Sequence, residues 1–335
     1  MVYRWDLDKT YLRTDFDTLR DLLARAVERA SEKRTVPGAA ALLRELRATE
    51  PAGIYILSGS PEQMRRVLEA KLRLDGIQWD GFTLKPSLRN LLRGRFRFLK
   101  DQVGFKLGAM LALREQLDAE LDEVLFGDDA ETDVFTYSLY ADVCAGRVPR
   151  DTLVEVLRQA AMAPQDVPEL LQRVDRLELR DHCRRIFIHL DRISSLDTFE
   201  AYGTRVCPFY NYFQPALVLL EMDAIDAAAA LRVAADLVID QAFTADALAA
   251  SFQELAHRGQ VSKRALGALL DALDAVDETG FATATGTLFD LGDLLARQGG
   301  QFAAVAPIEQ LDYVAMLARE RARAHAAKRR VLGRS

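Results

Sequence analysis

With 335 residues, half of them hydrophobic, the chain is long enough for one large folded unit or two ordinary ones, with a substantial core. Lys and Arg number 44 against 50 Asp and Glu, a net charge of −6, which excludes a nucleic-acid binder with a broad basic face. The three cysteines, Cys144, Cys183 and Cys207, lie far apart without Cys-x-x-Cys spacing. That argues against a disulfide framework or a zinc site, and reads as small buried residues in a reducing compartment.

Val2 to Trp5 is short and β-rich, and polar residues follow at once. It reads as a buried strand with no signal peptide ahead of it. Leu19 to Ala30 carries Leu19, Leu22, Leu23, Ala26 and Val27 at helical spacing. Val36-Pro37-Gly38 then opens a second helix through Leu46. Gly53 to Leu57 is a second strand, and Pro61 beyond it fits the first turn of a helix. Phe105 to Leu117 predicts a helix with Lys106 in its first turn, and Glu123 to Phe126 a third strand. Strands alternating with helices predict an α/β fold with a Rossmann-like, doubly wound parallel sheet.

Past Arg150 the pattern changes. A helical insertion is expected over about 150–182, and Arg185 to Leu190 reads as one more strand. From about Phe213 the chain is rich in Ala and Leu at helical spacing, over Ala216 to Ile239, Ala245 to Ala256, Lys263 to Ala275 and Tyr313 to Lys328. The expected division is a sheet-bearing domain over 1–200 and an all-helical domain over 201–335. The apolar run at Pro215 to Leu220 is broken by Glu221 and Asp223, so no transmembrane segment is expected and the protein is placed in the cytoplasm.

Three short segments fall at predicted strand ends: Asp6-Leu7-Asp8-Lys9-Thr10, Leu57-Ser58-Gly59-Ser60, and Gly127 to Asp133. Ligands of doubly wound sheets sit outside the carboxyl ends of the strands. Asp6 is placed to attack phosphorus and form an aspartyl-phosphate that water then hydrolyses. Asp8, two positions on, would protonate the leaving oxygen and later take a proton from water. Thr10, Ser58, the Gly59 amide at an expected helix N-terminus, and Lys106 are candidates for holding the phosphoryl group. Asp6, Asp8 and Asp128 are the candidate Mg²⁺ ligands, with Asp129 and Asp133 as direct or supporting partners. Each piece alone also has a plain reading as a turn, a strand-end hydroxyl or a solvated charge. Their joint order favours the chemical one. His189 and His257 are each a lone histidine and read as satisfied structural residues.

In this order the residues resemble the haloacid dehalogenase-like (HAD) phosphohydrolase superfamily, and more closely the App1-type phosphatidate phosphatase catalytic domain. The closer likeness rests on Ser58-Gly59-Ser60-Pro61-Glu62-Gln63, Pro37-Gly38 before a helix, Gly81 to Lys85, Gly127 to Asp133 with Tyr137, and Gly146-Arg147-Val148. It spans roughly residues 1–150. The chain departs from the family at Lys9, where Asp is usual, and at Asp129, where Ser is usual. Both changes are expected to alter charge beside the phosphoryl site.

The resemblance implies a Mg²⁺-dependent phosphomonoester hydrolase with a minimal cap between Thr10 and Val36; so small a cap leaves the site open, which suits a large or surface-bound substrate or lets the helical half serve as the lid. Its substrate would be a phosphorylated small molecule, lipid or phosphoprotein. A lipid substrate requires peripheral membrane contact, for which the basic helix with Arg319, Arg321, Arg323, Lys328, Arg329, Arg330 and Arg334 is the candidate. A solvated helix whose cations complement its dipole is the favoured reading of that segment. The alternative for the whole chain is a non-catalytic protein that keeps the fold while its helical half binds a protein partner.

Overall fold

A computed structural model describes residues 1–13, 35–85, 95–130, 132–192, 194–275, 282–303 and 310–319. Its strands are β1 (Val2–Asp6), β2 (Gly53–Pro61), β3 (Gly81–Lys85), β4 (Glu123–Asp128), β5 (Cys183–His189) and β6 (Val206–Phe209). They form one all-parallel sheet in the order β3-β2-β1-β4-β5-β6. The chain runs outward from β1 to β3, then restarts at β4 on the other side of β1. The carboxyl ends of β1 and β4 therefore flank the switch point, where a sheet of this kind opens a crevice.

The helices are α1 (Ala39–Ala48), α2 (Arg65–Leu74), α3 (Arg95–Arg114), α4 (Asp133–Cys144), α5 (Arg150–Gln159), α6 (Val167–Arg176), the short α7 (Asp197–Glu200), α8 (Phe213–Glu221), α9 (Ala227–Gln241), α10 (Ala245–His257), α11 (Lys263–Asp274) and α12 (Thr285–Gln298). Residues 313–319 are helical as well. Three of the later helices start where a side chain accepts an otherwise orphan backbone N–H. Asp226 accepts from Ala229, Thr244 from Ala247 and Ser262 from Arg264.

Successive side chains on a strand point to opposite faces, so each strand feeds two layers. On one face Trp5, Phe126 and Phe187 form a row across β1, β4 and β5, with ring centroids 3.8 and 4.9 Å apart. This row belongs to a single buried cluster that takes in α1, α2 and α8 to α12. On the other face Leu125, Ile186 and Ile188 pack with α3 to α6 and with Tyr313, Met316 and Leu317. The buried Arg4 lies on this second face. Its guanidinium meets Glu123 at 2.8 Å, which Arg114 also contacts at 2.9 Å, joining β1, β4 and α3. Burial pushes the Glu123 carboxyl up, but Arg4, His182 and Arg114 outweigh it and hold the group below its usual value.

Several boundaries differ from expectation. β2 runs on through Pro61, so Pro61 closes a strand instead of opening a helix. Its register with β3 shifts between Ser58 and Pro61, and a 3-10 turn (Glu62–Met64) precedes α2. A proline has no N–H for the ladder and is tolerated at such an irregularity. α3 starts by Arg95, well before Phe105, so Lys106 sits in the body of the helix. Gly104 costs the helix only about 1 kcal/mol and does not end it. β6 falls inside the stretch expected to be all-helical. With Pro208 in it and only four residues, it is an edge strand too short for a periodic signal. The expected helix over Leu19 to Ala30, with the cap it would form, lies outside the described residues, as do Arg321 and the basic residues beyond it. No helix among the described residues is long and apolar enough to cross a membrane.

Candidate active site

Asp6 ends β1, and the next six residues fold back on themselves. Tyr11 and Leu12 donate backbone N–H groups to the Leu7 carbonyl at 3.1 and 2.8 Å, and Lys9 donates to Leu12 at 2.7 Å. The reversal puts Lys9 in the left-handed region, at φ 60°, a conformation that costs a side-chain-bearing residue roughly 1–2 kcal/mol. Outside contacts hold it there. The Tyr212 hydroxyl donates to the Thr10 carbonyl at 2.6 Å, and the His189 Nδ1 meets the Lys9 carbonyl at 2.8 Å. A carbonyl only accepts, so Nδ1 carries the proton. Burial holds the imidazole below its usual pKa and hence neutral. His189 is thus a satisfied histidine, as expected, and the loop it satisfies is that of the candidate nucleophile.

Asp6, Asp128 at the end of β4 and Asp133 at the start of α4 converge. Each is buried, and one oxygen from each lies within 4.8 Å of the others. The Lys106 ammonium is 2.9 Å from Asp6 and also contacts Asp133. The Thr10 hydroxyl reaches Asp6 at 3.4 Å. The Asp128 carboxylate accepts the Ala130 N–H at 2.6 Å, which fixes its direction. Among the described residues, three buried carboxylates gather around one ammonium. Buried like charges are costly unless a cation or protons offset them. An all-oxygen set of this kind suits a hard divalent ion such as Mg²⁺.

Asp8 stands apart from that cluster. The hydroxyls of Ser58 and Ser60 both donate to its Oδ2, each at 2.8 Å, and the Ser60 N–H donates to the Ser58 Oγ at 3.0 Å. Sequence reasoning named Asp8 as a metal ligand and Asp133 as a support. The structure gives Asp133 the third place in the cluster and ties Asp8 to the two serines. Ser60 was missed, although its signal was present: residues two apart on a strand share a face. Gly59 lies between the serines within β2, and the helix N-terminus expected there is displaced to Arg65.

Lys9 and Asp129 both find partners in the segment after β5. The Lys9 ammonium pairs with Asp191 at 3.4 Å. Asp129 accepts the N–H groups of Arg192 at 2.8 Å and Ser194 at 3.0 Å, while its own N–H donates to the His189 carbonyl at 3.0 Å. They lash the segment after β5 to the loops after β1 and β4.

Gly127 is required by a close approach. A Cβ there would lie 2.6 Å from the Asp133 Oδ2, 2.7 Å from its Cβ and 2.8 Å from the Tyr137 ring. Gly127→Ala is therefore expected to push Asp133 out of the cluster and to lower stability by about 1–3 kcal/mol, as overpacking does. Thermal melts with and without Mg²⁺ would check this: the variant should lose most of any stabilisation by the ion. An unchanged Mg²⁺ response would show that Asp133 has not moved.

Comparison of the chain with protein-family models, with curated proteins and with solved structures finds no match.

Proposed function

We propose that this protein is a Mg²⁺-dependent phosphomonoester hydrolase of the HAD type, working through an aspartyl-phosphate on Asp6. The observation that carries the reading is the convergence of Asp6, Asp128, Asp133 and Lys106 in one buried cluster at the switch point, with Asp8 two residues beyond Asp6. A bound Mg²⁺ would offset the repulsion between a carboxylate and a phosphate dianion, and Asp6, Asp128 and Asp133 are the residues to hold it.

The chain's own groups do the rest. An Asp6 oxygen attacks phosphorus and the bond to the alcohol oxygen breaks. As that bond breaks, the leaving oxygen takes a proton from Asp8. Ser58 and Ser60 keep the Asp8 carboxyl oriented through both transfers. Water then attacks the aspartyl-phosphate and gives a proton to Asp8, while Asp6 is released as carboxylate. Lys106 neutralises part of the charge that gathers beside Asp6. The turn after Asp6, held by Tyr212 and His189, keeps Asp6 and Asp8 at a fixed separation, which matters because small misplacements cost large factors in rate.

The test is phosphate release from a panel of soluble and lipid phosphomonoesters, p-nitrophenyl phosphate and phosphatidate among them. Release is expected with Mg²⁺ and not with EDTA, and the panel reads out the substrate class. No release from any member would sink the proposal in favour of a non-catalytic protein.

A further inference from the structure

The opposite edge of the sheet carries a second concavity. The amino ends of β4, β5 and β6 border a cleft of about 640 Å³, whose charged lining includes Asp122, Asp181, Arg184, Arg185, Arg205 and Glu221. Its acids already have partners. Asp122 pairs with Arg180 at 3.0 Å and Arg184 at 3.7 Å. Asp181 pairs with Arg147 and lies 3.7 Å from Arg205, and Glu221 accepts the Ser262 N–H at 3.0 Å and its hydroxyl at 2.9 Å.

The cations are less well served. Arg205 is 5% exposed. One of its terminal nitrogens binds Asp142 at 2.9 Å, and the other makes no hydrogen bond. The Arg185 guanidinium, on β5, donates to the Thr204 carbonyl, and among the described residues no carboxylate stands within ion-pair distance of it. Glu221 acts on it only at longer range, and burial lowers its pKa. A largely buried guanidinium with no anion is costly. Its planar fork of N–H groups matches two oxygens of a carboxylate or phosphoryl group.

We propose that this cleft binds a small oxyanion, a carboxylate or phosphoryl group, held by Arg185, with Arg184 closing from the rim and the buried Arg205 adding positive potential from behind. The site is independent of the hydrolase reading, since it lies at the other end of the strands from Asp6.

Calorimetric titration of inorganic phosphate, and separately of succinate, into wild type, Asp6→Asn, Arg185→Gln and Arg184→Gln tests it. Wild type and Asp6→Asn should bind one equivalent of at least one probe. Arg185→Gln should weaken it by at least ~10-fold, the loss of one charge-assisted hydrogen bond. Arg184 is largely exposed, so Arg184→Gln leaves the fold intact and should weaken binding by roughly 2–5-fold, a rim contribution. It decides the matter even if Arg185→Gln fails to fold. Phosphate alone binding would identify a phosphoryl ligand, and succinate binding a carboxylate. No saturable binding below ~10 mM, a range corresponding to under about 3 kcal/mol, would overturn the proposal. So would binding that survives both arginine variants, or binding lost in Asp6→Asn instead.

Discussion

Asp6→Asn is expected to reduce Mg²⁺-dependent phosphate release by at least ~10³-fold while leaving the fold intact, since removal of a covalent nucleophile commonly costs that much or more. The amide has the shape of the carboxylate but cannot attack phosphorus. Asp6 is fully buried at the end of β1, so a larger or smaller substituent would confound the test with packing. The exchange also removes one of three clustered negative charges, and Lys106 keeps its contact with Asp133. The melting temperature without metal should therefore hold or rise, while the Mg²⁺ concentration needed to stabilise the protein increases. Rates on p-nitrophenyl phosphate alongside melts decide it. Comparable rates in wild type and variant would remove Asp6 from the chemistry.

Lys106→Met should do the reverse to stability. Its ammonium is fully buried between Asp6 and Asp133, and the methionine fills similar space without charge. Breaking a buried pair leaves uncompensated charge, at a cost of about 3–5 kcal/mol. Here three clustered carboxylates would lose the ammonium that contacts two of them. Added Mg²⁺ should recover part of the loss, about 2.7 kcal/mol at a hundredfold excess over its dissociation constant. The Mg²⁺-induced shift in melting temperature should thus be larger in the variant than in wild type. Equal shifts would mean that the ion binds away from this lysine, and an undisturbed melt without metal would mean that the carboxylates are not charged in the folded state. On the proposed mechanism phosphate release should fall as well, because the cation that would stand beside the phosphorus is gone.

Much of this arrangement is legible in the chain because parallel sheets reduce a three-dimensional question to where strands end. Asp6 and Asp128 are each the last residue of an apolar strand, and β1 and β4 are neighbours in the sheet. Lys106 and Asp133 belong to helices packed on one face of that sheet, so their meeting follows from the topology once the strands are found. What stays illegible depends on side-chain direction within loops. Nothing in Asp128-Asp129 says which carboxylate turns to the cluster and which toward the segment after β5; the backbone N–H groups of Arg192 and Ser194 decide that from more than sixty residues away. Lys9 is hidden in the same way, since its partner Asp191 lies beyond β5. Asp8 reads as a metal ligand because spacing alone cannot reveal two serine hydroxyls converging on one of its oxygens. The extent of α3 is obscured by Gly104, which imitates a boundary without forming one.

The row of rings on β1, β4 and β5 has a consequence for how the chain holds together. Tyr212 stacks on Trp5 with centroids 5.7 Å apart, and Phe213 and the helices after it cover the rest of the row. A product ending at Phe209 would lose the Tyr212 ring from Trp5 and the apolar residues of α8 to α12 from this cluster, leaving the kind of contiguous apolar patch that drives association. The later helices thus share one buried core with the sheet. Heat or denaturant should melt both halves in one cooperative step, with no stage at which the sheet-bearing half stands alone.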